Sequence, residues 1–340
     1  MAHEIIFDEV RGINPIAFVG EVPWHGLGQQ LTPNSPLEVW AEQAGMDWNI
    51  NSSPVSFTAA GAGSRTRSYF QGRKVLYRND DLSPLSIVSD QYKEVQPREV
   101  LEFFRDLTEV GGFRLNTAGV LHGGKKFWAL AETGEEARIM GQDKLNNFLL
   151  LATACDGSLA TTAMFTSVRV VCNNTLTFAV ERDGSAPSQH LKIPHSRKFN
   201  PDEIKAELGL AHSSWGKFVE EANVLARRKV TDREALVWMA KVMAGVSSEG
   251  KGTYEFIEAV DQSGKIRSVK TCLELFQGRG KGSNLRAADG TAWGMVNAVT
   301  EYMDHHRPTR TTDSRLDGSW FGEQANIKQR AWNEALKLAA

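Results

Sequence analysis

Cysteine is scarce in this chain. Its three copies, Cys155, Cys172 and Cys272, lie far apart, and none belongs to a Cys-x-x-Cys pair. That sparseness excludes a disulfide framework and a cysteine-built zinc site. It points to a reducing compartment, with the thiols packed as small apolar groups. Long hydrophobic runs are missing too: no stretch approaches the roughly 18 apolar residues a membrane helix needs. Met1–Asp8 carries neither a basic flank nor a long apolar segment, so no secretory signal is expected there. Neither sign of charge dominates. The 39 Lys and Arg stand against 41 Asp and Glu, a formal net charge of -2. This excludes a globally basic nucleic-acid coat but leaves room for a local basic patch. No strand leads into a Gly-x4-Gly-Lys-Ser/Thr loop, which excludes a Walker-type phosphate cradle. Internal repeats and low-complexity tracts are absent as well.

What is present is a globular composition: 340 residues, 41% hydrophobic and 24% charged, enough for one large domain or two ordinary ones with a sizeable core. Residues 1–35 are broken by Pro15, Pro23 and Pro33, and a mostly irregular arm is expected. A short helix follows, with Ser35 as cap, Pro36 in its first turn and Leu37, Trp40, Ala41 and Ala44 at helical spacing. From 53 to 133 the pattern turns to strands. Val55–Thr58 is one; Tyr69-Phe70 and Val75–Tyr77 read as hairpin arms around Gln71-Gly72; Leu85–Val88 is another. Pro97 opens a helix with an apolar face of Val100, Leu101, Phe103, Phe104 and Leu107, stopped by Gly111-Gly112. Hairpins are expected around His122-Gly123-Gly124 and around Asp156-Gly157. Val168–Leu176 fits either a strand or a helix. Beyond 200 the periodicity is helical. Asn200-Pro201 starts one helix, and Thr231–Glu234 has the spacing of a capping box. Further helices are expected over 253–260, 269–276, 291–305 and 323–339.

The fold class read from this pattern is α+β: an antiparallel β-rich N-terminal half with packed helices, followed by a mainly helical C-terminal half. The organisation read is an arm and short helix over 1–50, an α+β core over 51–197 and a helical region over 198–340, the last possibly part of the same domain.

Two segments concentrate positive charge. Residues 65–78 hold Arg65, Arg67, Arg73, Lys74 and Arg78 with Tyr69, Phe70 and Tyr77 interleaved and no acid. Cations neutralise phosphates and aromatic rings stack bases, so this composition suits single-stranded nucleic acid; the competing reading is a solvated strand face. The second segment, 265–286, sets six basic residues against Glu274 alone. Its Gly278, Gly280 and Gly282 permit close approach of backbone amides to an anion, or simply form a surface loop. Arg67, Arg73, Lys74, Arg279 and Lys281 are the expected phosphate contacts, and Tyr69 and Tyr77 the expected stacking residues.

Signals for catalysis are weaker. His25, within Trp24-His25-Gly26-Leu27-Gly28, has no identified partner. Asp156 has a turn role, and Cys172, beside Asn173 and Asn174, lacks a complete nucleophile set. Asp304, His305 and His306 do not easily converge on one ion from adjacent helical positions. No metal and no cofactor are expected.

The segments Trp24–Gly28, Ser89–Tyr92, Arg169–Leu176 and Gly290–His306 together resemble the phage/plasmid-like proteins that carry domain of unknown function 932. The resemblance covers most of the chain and supplies no reaction. It implies a mobile-element accessory protein in the cytoplasm of a bacterial host, a setting in which such proteins often handle DNA. The function read is therefore binding, and possibly annealing, of single-stranded DNA without catalysis, by a homo-oligomer with no membrane partner. The alternatives are an interaction protein acting on a host defence or regulatory factor, and an uncharacterised enzyme.

Overall fold

The computed structural model describes residues 12–20, 28–61, 64–172, 174–178, 180–182, 185–188, 191–202 and 211–340. Contacts divide the chain into two compact units that interleave along the sequence. The first comprises 1–134, 148–165 and 188–209; the second comprises 135–147, 166–187 and 210–340. The fold is α+β, with antiparallel sheets in the N-terminal half and helices towards the C-terminus.

In the first unit β1 (Ile16–Val19) pairs in parallel with β2 (Gln29–Leu31) and antiparallel with β6 (Arg114–Leu121). β6 turns into β7 (Lys126–Ile139) through His122, Gly123 and Gly124, all at positive φ, so the expected hairpin forms there. The larger sheet continues through β8 (Asp143–Ala154) and β9 (Thr161–Arg169) to β10 (Asn174–Thr177), in the order β10-β9-β8-β7-β6-β1-β2, and β11 (Leu191–Ile193) also pairs with β9. A second hairpin, unmarked in the sequence reading, joins β7 to β8 through Met140 and Gly141, both at positive φ. The stretch 168–176 is neither one strand nor a helix. Residues 168–169 end β9, 170–172 turn, and 174–176 begin β10.

The short helix α1 (Leu37–Gln43) has no side-chain cap, because Pro36 rather than Ser35 occupies the N-cap position and carries no acceptor; the Ser35 hydroxyl donates to the Thr32 carbonyl. α2 (Pro97–Gly111) starts with the Glu99 carboxylate accepting from Gln96 N–H at 2.7 Å, has proline at its first position and ends on Gly112 in the left-handed conformation. Val100, Leu101, Phe103, Phe104 and Leu107 are all buried, as the helical spacing requires. Trp48 meets Phe127 edge-on at 6.3 Å in the same core.

β3 (Ile50–Gly61), β4 (Ser64–Arg78) and β5 (Pro84–Ser89) form a separate three-stranded sheet. Gln71-Gly72 does not turn the chain. β4 runs straight through it, and the register with β3 jumps from Pro54↔Lys74 to Ser56↔Tyr69. Residues 70–73 therefore bulge out opposite Val55, with Gly72 at φ 74° and Pro54, which has no N–H to give to a ladder, at the break. The glycine that resembles a hairpin turn serves a bulge.

The second unit is helical around an aromatic cluster. Helices α3 (Ala211–Arg227), α4 (Asp232–Ala244), α5 (Thr253–Gln262), α6 (Ile266–Glu274), α7 (Ala292–Glu301), α8 (Thr312–Phe321) and α9 (Glu323–Ala339) follow in order. α4 carries the expected capping box. Phe178, Trp215, Phe218 and Trp332 stack at 4.8–5.7 Å, and Trp293 meets Trp332 edge-on at 6.2 Å. Every residue of α7 is buried, and its polar Asn297, Thr300 and Glu301 meet other protein groups rather than solvent. α8 has no strong apolar period and is legible mainly by its Thr311 cap.

Candidate functional site

Beyond the bulge, β3 and β4 continue as a two-stranded ribbon. Among residues 55–60 and 65–70 none is buried, so both faces of the ribbon are open to solvent. Phe57, Tyr69 and Phe70 are 50%, 56% and 56% exposed. That much exposed aromatic surface at the foot of a ribbon is unusual unless something docks there. Arg67 lies over the Tyr69 ring at 5.7 Å and donates from Nε to the Ser56 hydroxyl at 3.1 Å, a rigid cation–aromatic pair. At the foot of the ribbon the bulge opens a cleft of about 400 Å³ between Pro54, Tyr69, Phe70, Arg73, Lys74 and Asp90.

The five cations of this segment are not equivalent. Arg65 and Arg73 are exposed and have no ion pair among the described residues. Lys74 is half-buried and paired to Glu94 at 2.9 Å. Arg78 is buried: its guanidinium stacks 4.6 Å from the Trp48 ring and forks onto Asp80 at 2.7 and 3.0 Å, a structural role. Tyr77 is only partly exposed, on the strand rather than on the ribbon.

Arg279 and Lys281 belong to the second unit. Arg279 pairs with Glu274 at the surface. The glycine loop around them is closely packed. A Cβ on Gly280 would press on the Leu275 carbonyl at 2.7 Å, and one on Gly282, at φ 67°, would press on Val171 at 2.7 Å. The loop does present an amide to an anion, and the anion is the chain's own: Lys281 N–H donates to the Glu301 carboxylate at 3.0 and 3.2 Å.

That contact belongs to a buried polar network joining the Arg169–Leu176 and Gly290–His306 segments. Arg169 and Asp143 pair at 2.8 Å, 2% and 0% exposed. Asp143 also accepts from Trp293 Nε1 at 2.9 Å, and Arg169 donates to the carbonyls of Lys281 and Gly282 at 3.1 and 3.0 Å. Asn174 donates to the Asn297 carbonyl and the Thr300 hydroxyl, and its Oδ1 lies 3.1 Å from His305 Nε2. Burial holds the His305 imidazole below its ordinary range, so the neutral ring donates there. Asp304 accepts from Lys328 at 2.7 Å, Thr175 N–H at 2.8 Å and the Ser319 hydroxyl at 2.8 Å. Every charge in the network faces a counter-charge or a hydrogen-bond donor, which is what burial of charge demands. The sequence reading missed Asp143, Glu301 and Lys328. Each finds its partner 20 or more residues away in sequence, so no local pattern marks it.

The residues weighed for catalysis are dispersed. His25 lies outside the described residues. The Asp156 carboxylate accepts from Ser158 N–H at 2.9 Å within its own turn. Cys172 is buried, its thiol pushed up to about 11 by burial, with an Arg169 guanidinium nitrogen 3.8 Å from the sulfur. Among the described residues no group of three or more His, Cys, Asp and Glu is placed to hold a metal ion, and no helix is long and apolar enough to cross a membrane.

No curated protein and no solved structure matches the chain. A family model does: the domain of unknown function DUF932 matches residues 84–320. That match spans well over half of the sequence and includes three of the four motif segments, and the chain belongs to the DUF932 family.

Proposed function

We propose that this protein binds single-stranded nucleic acid through the β3–β4 ribbon. The observation that carries the reading is the ribbon itself: open on both faces, with exposed Phe57, Tyr69 and Phe70 at its foot and Arg67 held over the Tyr69 ring. Stacking on an aromatic face is worth about 1–3 kcal/mol per base and tolerates any sequence. Arg65, Arg67 and Arg73 are the proposed phosphate contacts on the ribbon, and Lys74 a weaker one because Glu94 already holds it. Arg279 and Lys281 are proposed as a second phosphate-contacting segment. Tyr69 is the principal proposed stacking residue and Tyr77 a lesser one. The wider setting we propose is a phage- or plasmid-borne accessory protein working in the bacterial cytoplasm as a homo-oligomer.

The test is binding to labelled single-stranded and duplex oligonucleotides across a salt series, with the molar mass measured in parallel. The expected result is a preference for the single strand, with affinity falling steeply as salt rises. Arg67→Glu with Arg73→Glu weakens binding and flattens the salt slope by about 0.7 per lost phosphate contact. Tyr69→Ala weakens binding at every salt concentration. Absence of binding at low salt, or variants that bind like the parent, overturns the reading.

A further inference from the structure

Helices α4 and α9 leave between them a cleft of about 460 Å³, floored by Val237, Trp238 and Leu338. We propose that it is a binding site for a small amphipathic monoanion, an aromatic or aliphatic carboxylate. It is independent of the ribbon, since every residue that lines it belongs to the second unit.

Size and lining come first. The volume lies in the range of small-molecule sites, and such sites combine an apolar floor with a few placed polar groups. The floor supplies an aromatic ring. Trp238 is 6% exposed, and its indole Nε1–H meets no acceptor among the described residues. The nitrogen itself is shielded from solvent, so a ligand in the cleft packs on the ring rather than on the N–H.

Charge selects the class of ligand. Glu334 is shared by two ammonium groups, Lys241 at 2.5 Å and Lys337 at 2.7 Å. Those contacts hold its carboxyl below the ordinary range, so it stays ionised. Glu234 is engaged by Arg228 at 2.8 Å and by the Thr231 amide and hydroxyl. Arg233, on the same rim, has no ion pair among the described residues. The rim thus sets Arg233, Lys241 and Lys337 against Glu234 and Glu334, an excess of one positive charge. One carboxylate on an apolar body satisfies the charge of the rim and the apolar floor together.

The test uses the full chain with ¹⁵N-labelled tryptophan, following its nine indole N–H resonances. It is titrated with 2-naphthoate and, separately, with the neutral isostere 2-naphthamide. One resonance, assigned to Trp238 by its absence in Trp238→Phe, is expected to shift saturably with naphthoate, and the amide to bind about tenfold more weakly. Lys337→Gln, at a lysine 72% exposed and therefore harmless to the fold, removes the charge excess and most of the preference for the acid. The proposal is overturned if no indole resonance moves at millimolar naphthoate. It is equally overturned if the amide binds as tightly as the acid, or if the shifting resonance persists in Trp238→Phe.

Discussion

Arg169 and Asp143 form an ion pair at 2.8 Å from which water is excluded, and Trp293 Nε1 donates to the same carboxylate at 2.9 Å. Removing one partner leaves an uncompensated buried charge. Asp143→Ala is therefore expected to lower the stability of the second unit by about 3–5 kcal/mol. Trp293→Phe, which removes one donor to a charged group and trims the ring, costs about 1–3 kcal/mol. Urea denaturation midpoints check both. A loss below about 1 kcal/mol for Asp143→Ala would contradict the central place given to this pair.

The thiols make a pH prediction. Burial raises Cys172 to about 11 and Cys155 to about 12, from an ordinary 9.0. Above about pH 9 the unfolded chain therefore releases thiol protons that the folded chain keeps, and folding stability declines as pH rises. Near pH 8 the thiolate fraction of folded Cys172 is on the order of one in a thousand. Native protein is expected to resist iodoacetamide while denatured protein takes up three labels. Rapid labelling of a single native cysteine at Cys172 would revive a nucleophilic role for it.

At the start of α4, Glu234 is held down to about 2, first by the Thr231 backbone N–H and next by Arg228. A depressed carboxyl contributes stability above its unfolded value of 4.5, and the contribution is lost as pH falls from there towards about 2. Thr231→Ala removes the cap and costs about 1 kcal/mol at neutral pH. Thermal melts of parent and variant from acid to neutral pH report both effects. The cap argument fails if the two curves coincide at neutral pH.

Two helical glycines predict opposite signs. Gly294 lies where a Cβ would collide with the Ala288 carbonyl oxygen, so Gly294→Ala displaces backbone and costs about 1–3 kcal/mol or more. Gly216, on α3, is exposed with nothing within 4 Å of the added methyl. Gly216→Ala is expected to stabilise by about 0.5–1 kcal/mol, the ordinary helix preference for alanine. Melting temperatures measured side by side decide it, and destabilisation by Gly216→Ala would show an unrecognised contact at that face.

The sequence alone determined the elements whose signals are local. The α4 capping box, the apolar face of α2 and the His122–Gly124 turn depend on groups within a few residues, and each stands where its pattern placed it. The α+β order and the DUF932 membership were legible for the same reason. Tertiary structure decided the rest. Gly72 supplies the same positive φ to a bulge as to a hairpin, and only the pairing of β3 along all of β4 selects the bulge. That choice turns five similar cations into exposed Arg65, Arg67 and Arg73, tethered Lys74 and buried Arg78. Asp143 meets Arg169 across 26 residues and Trp293 across 150, separations over which no periodicity or capping rule operates. The charges of the buried network find one another only after the chain has folded, because only desolvation makes their pairing compulsory.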